Sequence, residues 1–147
     1  MKRKTLAILG SRSLDDNRVI RLLQMAVKEY GPSHIITSAE CTGVSACGRV
    51  LAKVLSIPLI VHFVNLKHGP GKYEQRNKAL LQETDFALLI HDGHSTGTIN
   101  ELLLCKKMKI KYKYIKLDIL PEDSMQGITE EDIEFEEEEE LWRTRQV

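Results

Sequence analysis

The sequence predicts an α/β protein: a Rossmann-like, doubly wound parallel sheet of five strands with flanking helices, followed by an acidic C-terminal tail. Three observations predict it. Short strand-like stretches recur at 5–9, 34–37, 58–64, 86–90 and 112–117, and the fourth (Phe-Ala-Leu-Leu-Ile) is unbroken in its apolarity, as in a strand buried on both faces. Helix-spaced apolar residues fill the intervals between them, so strand and helix alternate along the chain. No Asn-Gly hairpin signal joins two apolar stretches, which favours right-handed crossovers over antiparallel hairpins.

The first strand, 5–9, ends at Gly10-Ser11-Arg12. Val19, Leu22, Leu23, Ala26, Val27 and Tyr30 then recur at helical spacing until Gly31-Pro32 stops the helix. The second strand leads into 38–43, a small-residue loop, and a helix over 44–55. The third strand begins at Pro58, a position where a missing N–H is tolerated. A looser loop, 65–72, precedes a helix over 73–82 that carries Arg76 and Asn77. The fourth strand stops at Asp92-Gly93, and Ser95-Thr96-Gly97-Thr98 opens a helix reaching about Met108, with Glu101 one turn inside.

A chain of 147 residues, 42% of them hydrophobic, can bury one sizeable core and is expected to form one domain over 1–120. No apolar run has membrane-spanning length and no signal-peptide layout opens the chain, so the expected location is the cytoplasm, with no membrane partner. Cys41, Cys47 and Cys105 form no C-x-x-C pair, and His91 and His94 lack a third ligand; no disulfide framework, metal or cofactor is expected. Cys47 and Cys105 fall on helix patterns and read as core. His62 is expected to be structural in a buried strand, and His94 and His91 to serve loop solvation or a ligand hydrogen bond.

The formal net charge of zero conceals an asymmetry. Residues 118–147 hold 12 acidic and two basic residues, leaving nine acidic and 19 basic residues in 1–117. A body near +10 suits phosphate-bearing ligands or nucleic acid, although a solvated lysine-rich surface has the same composition. Five consecutive glutamates at 136–140 favour a solvated chain, so the tail, 121–147, is expected to be partly disordered, with a short docked helix as the alternative.

In open α/β sheets ligands sit beyond the carboxyl ends of the strands. Four distinctive segments follow the first four strands: Gly10-Ser11-Arg12; 38–43; the helix bearing Arg76 and Asn77; and the turn Gly93 to Thr98 with Glu101 behind it. Hydroxyls, glycines and a helix N-terminus at one sheet edge suit an anion. The expected phosphate-binding residues are Gly10, Ser11, Arg12, Ser38, Gly43, Asn77, Gly93, Ser95, Thr96, Gly97 and Thr98. Neither the G-x-G-x-x-G dinucleotide fingerprint nor the P-loop is present, which disfavours NAD and Mg-ATP chemistry. The bland readings are an exposed helix face for Arg76 and Asn77 and a dipole-compensating first-turn acid for Glu101.

Gly10-Ser11-Arg12, the Ser38…Gly43-Val44 loop, Arg76-Asn77 and Ser95-Thr96-Gly97-Thr98 together resemble the SLOG superfamily of Rossmann-like nucleotide-binding domains, in particular its YspA-like branch. The superfamily includes the LOG-type nucleotide phosphoribohydrolases and the DNA-processing protein A family, and the resemblance covers residues 4–117. LOG-type enzymes carry M-H-x-R-K on one helix and P-G-G-x-G-T-x-x-E after the next strand. Residues 73–77 and 94–101 look like these segments, so the resemblance implies catalytic roles for Arg76 and Glu101. The chain departs from the YspA-like loop S-G-G-A-x-G-V-D at Ala39, Glu40 and Ser45, and His94-Ser95 replaces the LOG glycine pair. A bulkier, negatively charged second loop is expected to reshape the base or sugar pocket.

The resemblance implies a binder of a nucleotide or nucleotide-derived small molecule, with N-glycosidic cleavage of a nucleoside monophosphate as the reaction and a homo-oligomer as the assembly. One alternative is a non-catalytic sensor or sequestering protein for a nucleotide signal. Another is weak binding of single-stranded nucleic acid, disfavoured by an aromatic content of 5%.

Overall fold

Strands β1 (Thr5–Gly10) and β4 (Phe86–His91) are buried at every position, as their near-continuous apolar sequences require. They pair in parallel at the centre of the sheet, with Leu6 opposite Phe86 and Gly10 opposite Ile90. A computed structural model describes residues 3–120 together with Glu134–Phe135. Around the central pair lie helix α1 (Asn17–Tyr30), β2 (His34–Ser38), α2 (Val44–Val54), β3 (Leu59–His62), α3 (Lys72–Gln82), α4 (Thr96–Lys107), β5 (Lys111–Lys116) and β6 (Glu134–Phe135). The strand order is β3-β2-β1-β4-β5-β6, and the first five strands in sequence are all parallel.

Because side chains alternate across a strand, each central strand supplies two cores. Leu6, Ile8, Phe86, Leu88 and Ile90 face the layer that contains Leu22 and Leu23 of α1 and Leu51 of α2. Ala7, Leu9, Ala87 and Leu89 face the opposite layer, with Leu80 and Leu81 of α3 and Leu104 and Cys105 of α4. Cys47 joins the first core, so both helical cysteines are buried as their spacing suggests. Helix α1 starts at the Asp16 cap, whose carboxylate accepts from the Arg18 N–H, and ends at Gly31 in the left-handed conformation. Arg18 is itself buried: it pairs with Asp16 at 3.0 Å and donates to the Asp118 carbonyl, tying the end of the sheet to α1.

One feature departs from the sequence reading and one adds to it. β3 is an edge strand and is only partly covered, so His62 is half-buried and pairs with Glu83 on the surface instead of sitting in the core. In the tail, Glu134–Phe135 forms a two-residue strand antiparallel to β5, with Phe135 opposite Ile115. The sequence reading names no strand there; Ile133-Glu134-Phe135-Glu136 alternates with the period of a strand. The remaining tail lies outside the described residues. Among the described residues no helix is long and apolar enough to cross a membrane.

The chain leaves β1 for β2 on one side of the sheet and returns from β3 to β4 on the other. The β1 and β4 loops therefore diverge at a switch in strand order, where such sheets open a crevice.

Candidate functional site

A cleft of about 740 Å³ opens at that point. The sequence brings together the segments that form it: Gly10, Ser11 and Arg12 after β1, Glu40 after β2, Tyr73, Arg76 and Asn77 on α3, and residues 95–101 at the start of α4.

The floor depends on close backbone approach. A β-carbon on Gly10 would lie 2.4 Å from the Ile90 carbonyl oxygen and 2.6 Å from Val44 Cγ2, so only glycine lets β1 reach the β4 strand and the α2 N-terminus together. Gly43 has φ +84°, and a β-carbon there would lie 2.3 Å from Arg12 Cα. It therefore presses the β2 loop against the β1 loop but does not line the cleft. Ser38 is also behind the wall: its hydroxyl donates to Ser45 Oγ at 3.1 Å. Gly93 sits on the far side of its turn, where a side chain would meet the stem of Lys116. These three expected ligand residues thus shape the site without lining it.

Asp92, which the sequence marks only as the stop of β4, organises the loop that follows. Its Oδ1 accepts from the His94 and Ser95 N–H groups, each at 2.8 Å, and its Oδ2 accepts from Ser13 Oγ at 2.6 Å and Ser95 Oγ at 2.9 Å. Burial alone would raise its pKa, but these four hydrogen bonds outweigh that and hold the carboxyl well below the usual carboxylate range. Because the Ser95 hydroxyl is spent on Asp92, it makes no cap bond to α4. The first-turn N–H groups of Thr96, Gly97 and Thr98 are left without an intrahelical acceptor, at the positive end of the dipole. All three residues line the cleft, and the space beside Gly97 is open for at least 4 Å around a notional β-carbon.

His91 is buried and does not serve solvent or the cleft. The Ser95 carbonyl can only accept, so the bond of 3.0 Å to His91 Nε2 places the proton there, and Nδ1 accepts from the Tyr114 hydroxyl at 2.5 Å. The ring is a brace between β5 and the α4 N-terminus. His94 remains exposed.

On the inner wall, Arg76 is 7% exposed and so does not sit on a solvated helix face, while Glu101 is 5% exposed and lies beyond the first turn of α4, which holds no acidic residue. Arg76 Nε donates to Asn77 Oδ1 at 3.0 Å, and its Nη2 lies 3.5 Å from Glu40 Oε1. Burial, reinforced by the negative charge of Glu40 and opposed by Arg76, pushes the Glu101 pKa up to about 8. The Cys105 thiol is fully buried and is pushed up to about 12 by burial and the Glu101 charge. Arg12 is exposed at the rim and has no ion pair among the described residues.

Sequence reasoning missed Asn100, Leu103 and Lys107, which continue the cleft wall along α4. Their spacing of three and four residues beyond Thr96 was the available signal. It also left Tyr73 and Glu40 out of the expected ligand set. Compared with models of known protein families, the chain matches none, and comparison with curated proteins gives no match either.

Proposed function

We propose that the cleft binds a nucleotide or nucleotide-derived ligand by its phosphate and cleaves the N-glycosidic bond of a nucleoside monophosphate, as the resemblance to LOG-type enzymes of the SLOG superfamily implies. One observation carries the reading: the buried carboxyl of Glu101 and the uncapped amides at the start of α4 line the same cleft. Four residues at 1.5 Å rise separate Gly97 from Glu101 by about 6 Å along the helix, roughly the reach of a ribose between its phosphate and its anomeric carbon.

In this reading the amides of 96–98, with Arg12 at the rim, hold the phosphate. The C1′–N bond breaks as the electron pair leaves with the base, and water adds to C1′, giving ribose 5-phosphate and the free base after proton transfer. The sugar passes through an oxocarbenium-like state, which the Glu101 carboxylate stabilises. Arg76 orients that carboxylate or the phosphate. Tyr73 and Leu103 offer apolar surface to a base.

Chromatography of free base released from a panel of nucleoside monophosphates tests the reaction. Release by the wild type and its loss in Glu101→Gln support it. Binding without release by the wild type transfers the cleft to the second reading, a sensor or sequestering protein. That reading is favoured by Glu40, which already occupies a donor of Arg76. Single-stranded nucleic acid is a poorer fit, since Tyr73 is the one aromatic side chain lining the cleft among the described residues.

A further inference from the structure

We infer that Glu40 reads the sugar of the ligand, accepting hydrogen bonds from a ribose 2′,3′-diol, so that the cleft selects ribonucleotides over 2′-deoxyribonucleotides. The inference rests on the nucleotide reading above and adds to it the substrate class and the residue that sets it.

The placement of Glu40 is built, not incidental. It lies two residues beyond β2, on a loop that Arg49 of α2 clamps from behind by donating to the Ser38 carbonyl at 2.6 Å and to the Glu40 carbonyl. The loop is thereby held with the Glu40 side chain toward the cleft, where it meets Arg76 of α3 across 36 positions of sequence. The carboxylate uses Oε1 for that contact, at the long distance of 3.5 Å, and Oε2 has no partner among the described residues. On this side chain, which lines the cleft, one acceptor oxygen is therefore unpaired among the described residues and the other is weakly held.

The chemistry of the occupant follows from these facts. A carboxylate repels phosphate, so Glu40 cannot share the anion seat at the start of α4. It accepts hydrogen bonds only, which requires a neighbouring group with donors: hydroxyls or an amine. In dinucleotide-binding α/β sheets, whose phosphate sits after β1, an acid after β2 accepts from a ribose hydroxyl; here β2 also lies beside β1, while the phosphate seat is at α4. A vicinal diol offers two donors to the two oxygens of one carboxylate. With the phosphate at α4, the sugar is the ligand part that comes next.

The test compares affinities by calorimetry for matched pairs: AMP against 2′-deoxy-AMP, GMP against 2′-deoxy-GMP, and ribose 5-phosphate against 2-deoxyribose 5-phosphate. The last pair has no base, and so separates a diol from a base amine as the partner of Glu40. The wild type is expected to prefer the ribo form by about tenfold or more in all three pairs, since a polar group left unpaired in a site discriminates strongly. Glu40→Ala and Glu40→Gln are expected to bring each ratio to within about twofold, a change worth roughly 1 kcal/mol. A merely structural role, through Arg76 or the loop, lowers both members of a pair alike and leaves the ratio unmoved. Phosphate-dependent binding with no ribo preference, or a preference that survives both substitutions, overturns the role of Glu40 alone. A preference confined to the base-containing pairs also overturns it, in favour of a base amine. No binding of any of the six compounds overturns the nucleotide reading, and this inference with it.

Discussion

Ser11 Oγ and Thr98 Oγ1 lie 3.3 Å apart, joining the loop after β1 to the first turn of α4. Ser11 Oγ also accepts from the Asp92 N–H at 3.0 Å. The two central strands are thus locked at the carboxyl edge where the cleft opens. Thr98→Val removes one partner of this bond while keeping the shape, and is expected to cost about 1 kcal/mol in urea unfolding. An unchanged midpoint and slope would show that the bond contributes nothing.

Gly97 should be the most sensitive position for binding. Its surroundings are open, so Gly97→Val is expected to fold normally, with an unchanged circular dichroism spectrum. The added branches fill the approach to the first-turn amides, and calorimetric binding of a nucleoside monophosphate should fall by at least about tenfold. Wild-type affinity in the variant would remove this end of α4 as the phosphate seat.

Glu101 carries a pH signature. Its folded pKa, about 8, lies above the ordinary 4.5, so the folded state holds a proton that the unfolded state has released between those values. Its contribution to stability is therefore complete below pH 4.5 and declines as pH rises to about 8. Glu101→Gln should flatten that decline and raise Tm at pH 9 by about 3 °C or more. If the carboxylate is the working form, kcat/KM rises with pH up to about 8, and the Gln variant loses turnover while keeping ligand affinity. A falling profile over the same range would assign Glu101 to proton donation instead.

Asp92 has the opposite sign. Its pKa is depressed below the ordinary 3.8, so its stabilisation is full above that value and is lost as pH falls further. Asp92→Asn is expected to cost about 1–3 kcal/mol at pH 7, because it breaks charge-assisted bonds from four donors, and much less at pH 2. Equal destabilisation at both pH values would place the effect in packing rather than charge.

The tail offers a fifth test. The five parallel strands lie within residues 5–116, so truncation after Leu120 is expected to leave their fold intact. Removing a tethered polyanion from a basic body should strengthen binding to single-stranded DNA at low salt, by an effect that fades as screening shortens the Debye length from ~10 Å at 0.1 M. An unfolded product, or unchanged DNA affinity at low salt, would assign the tail a structural role such as the β6 pairing.

Much of this protein was legible in one dimension, for local reasons. Phe86 to Ile90 is apolar on both faces because both faces are covered, and Gly31 ends α1 because only glycine adopts the left-handed cap at little cost. The gathering of Ser11, Arg76, Thr98 and Glu101 at one edge followed from the strand–helix alternation alone, since parallel strands send all their carboxyl ends the same way.

What the sequence could not separate were residues that line the cleft from residues that support it. Ser38, Gly43 and Gly93 stand in the right loops yet point their chemistry into the scaffold, a matter of side-chain direction that emerges only when the loops pack. His62 read as core because its strand is apolar, but coverage depends on being at the edge of the sheet. Glu40 shows the division most plainly. Its presence in a loop of small residues was visible in the chain, whereas its distance of 3.5 Å from Arg76 and its hold on Glu101 are set by the packing of β2 beside β1 and α3 beside α4. Burial then turns two ordinary acids and an arginine into a coupled site, because the low dielectric of a closed wall strengthens every charge that it encloses.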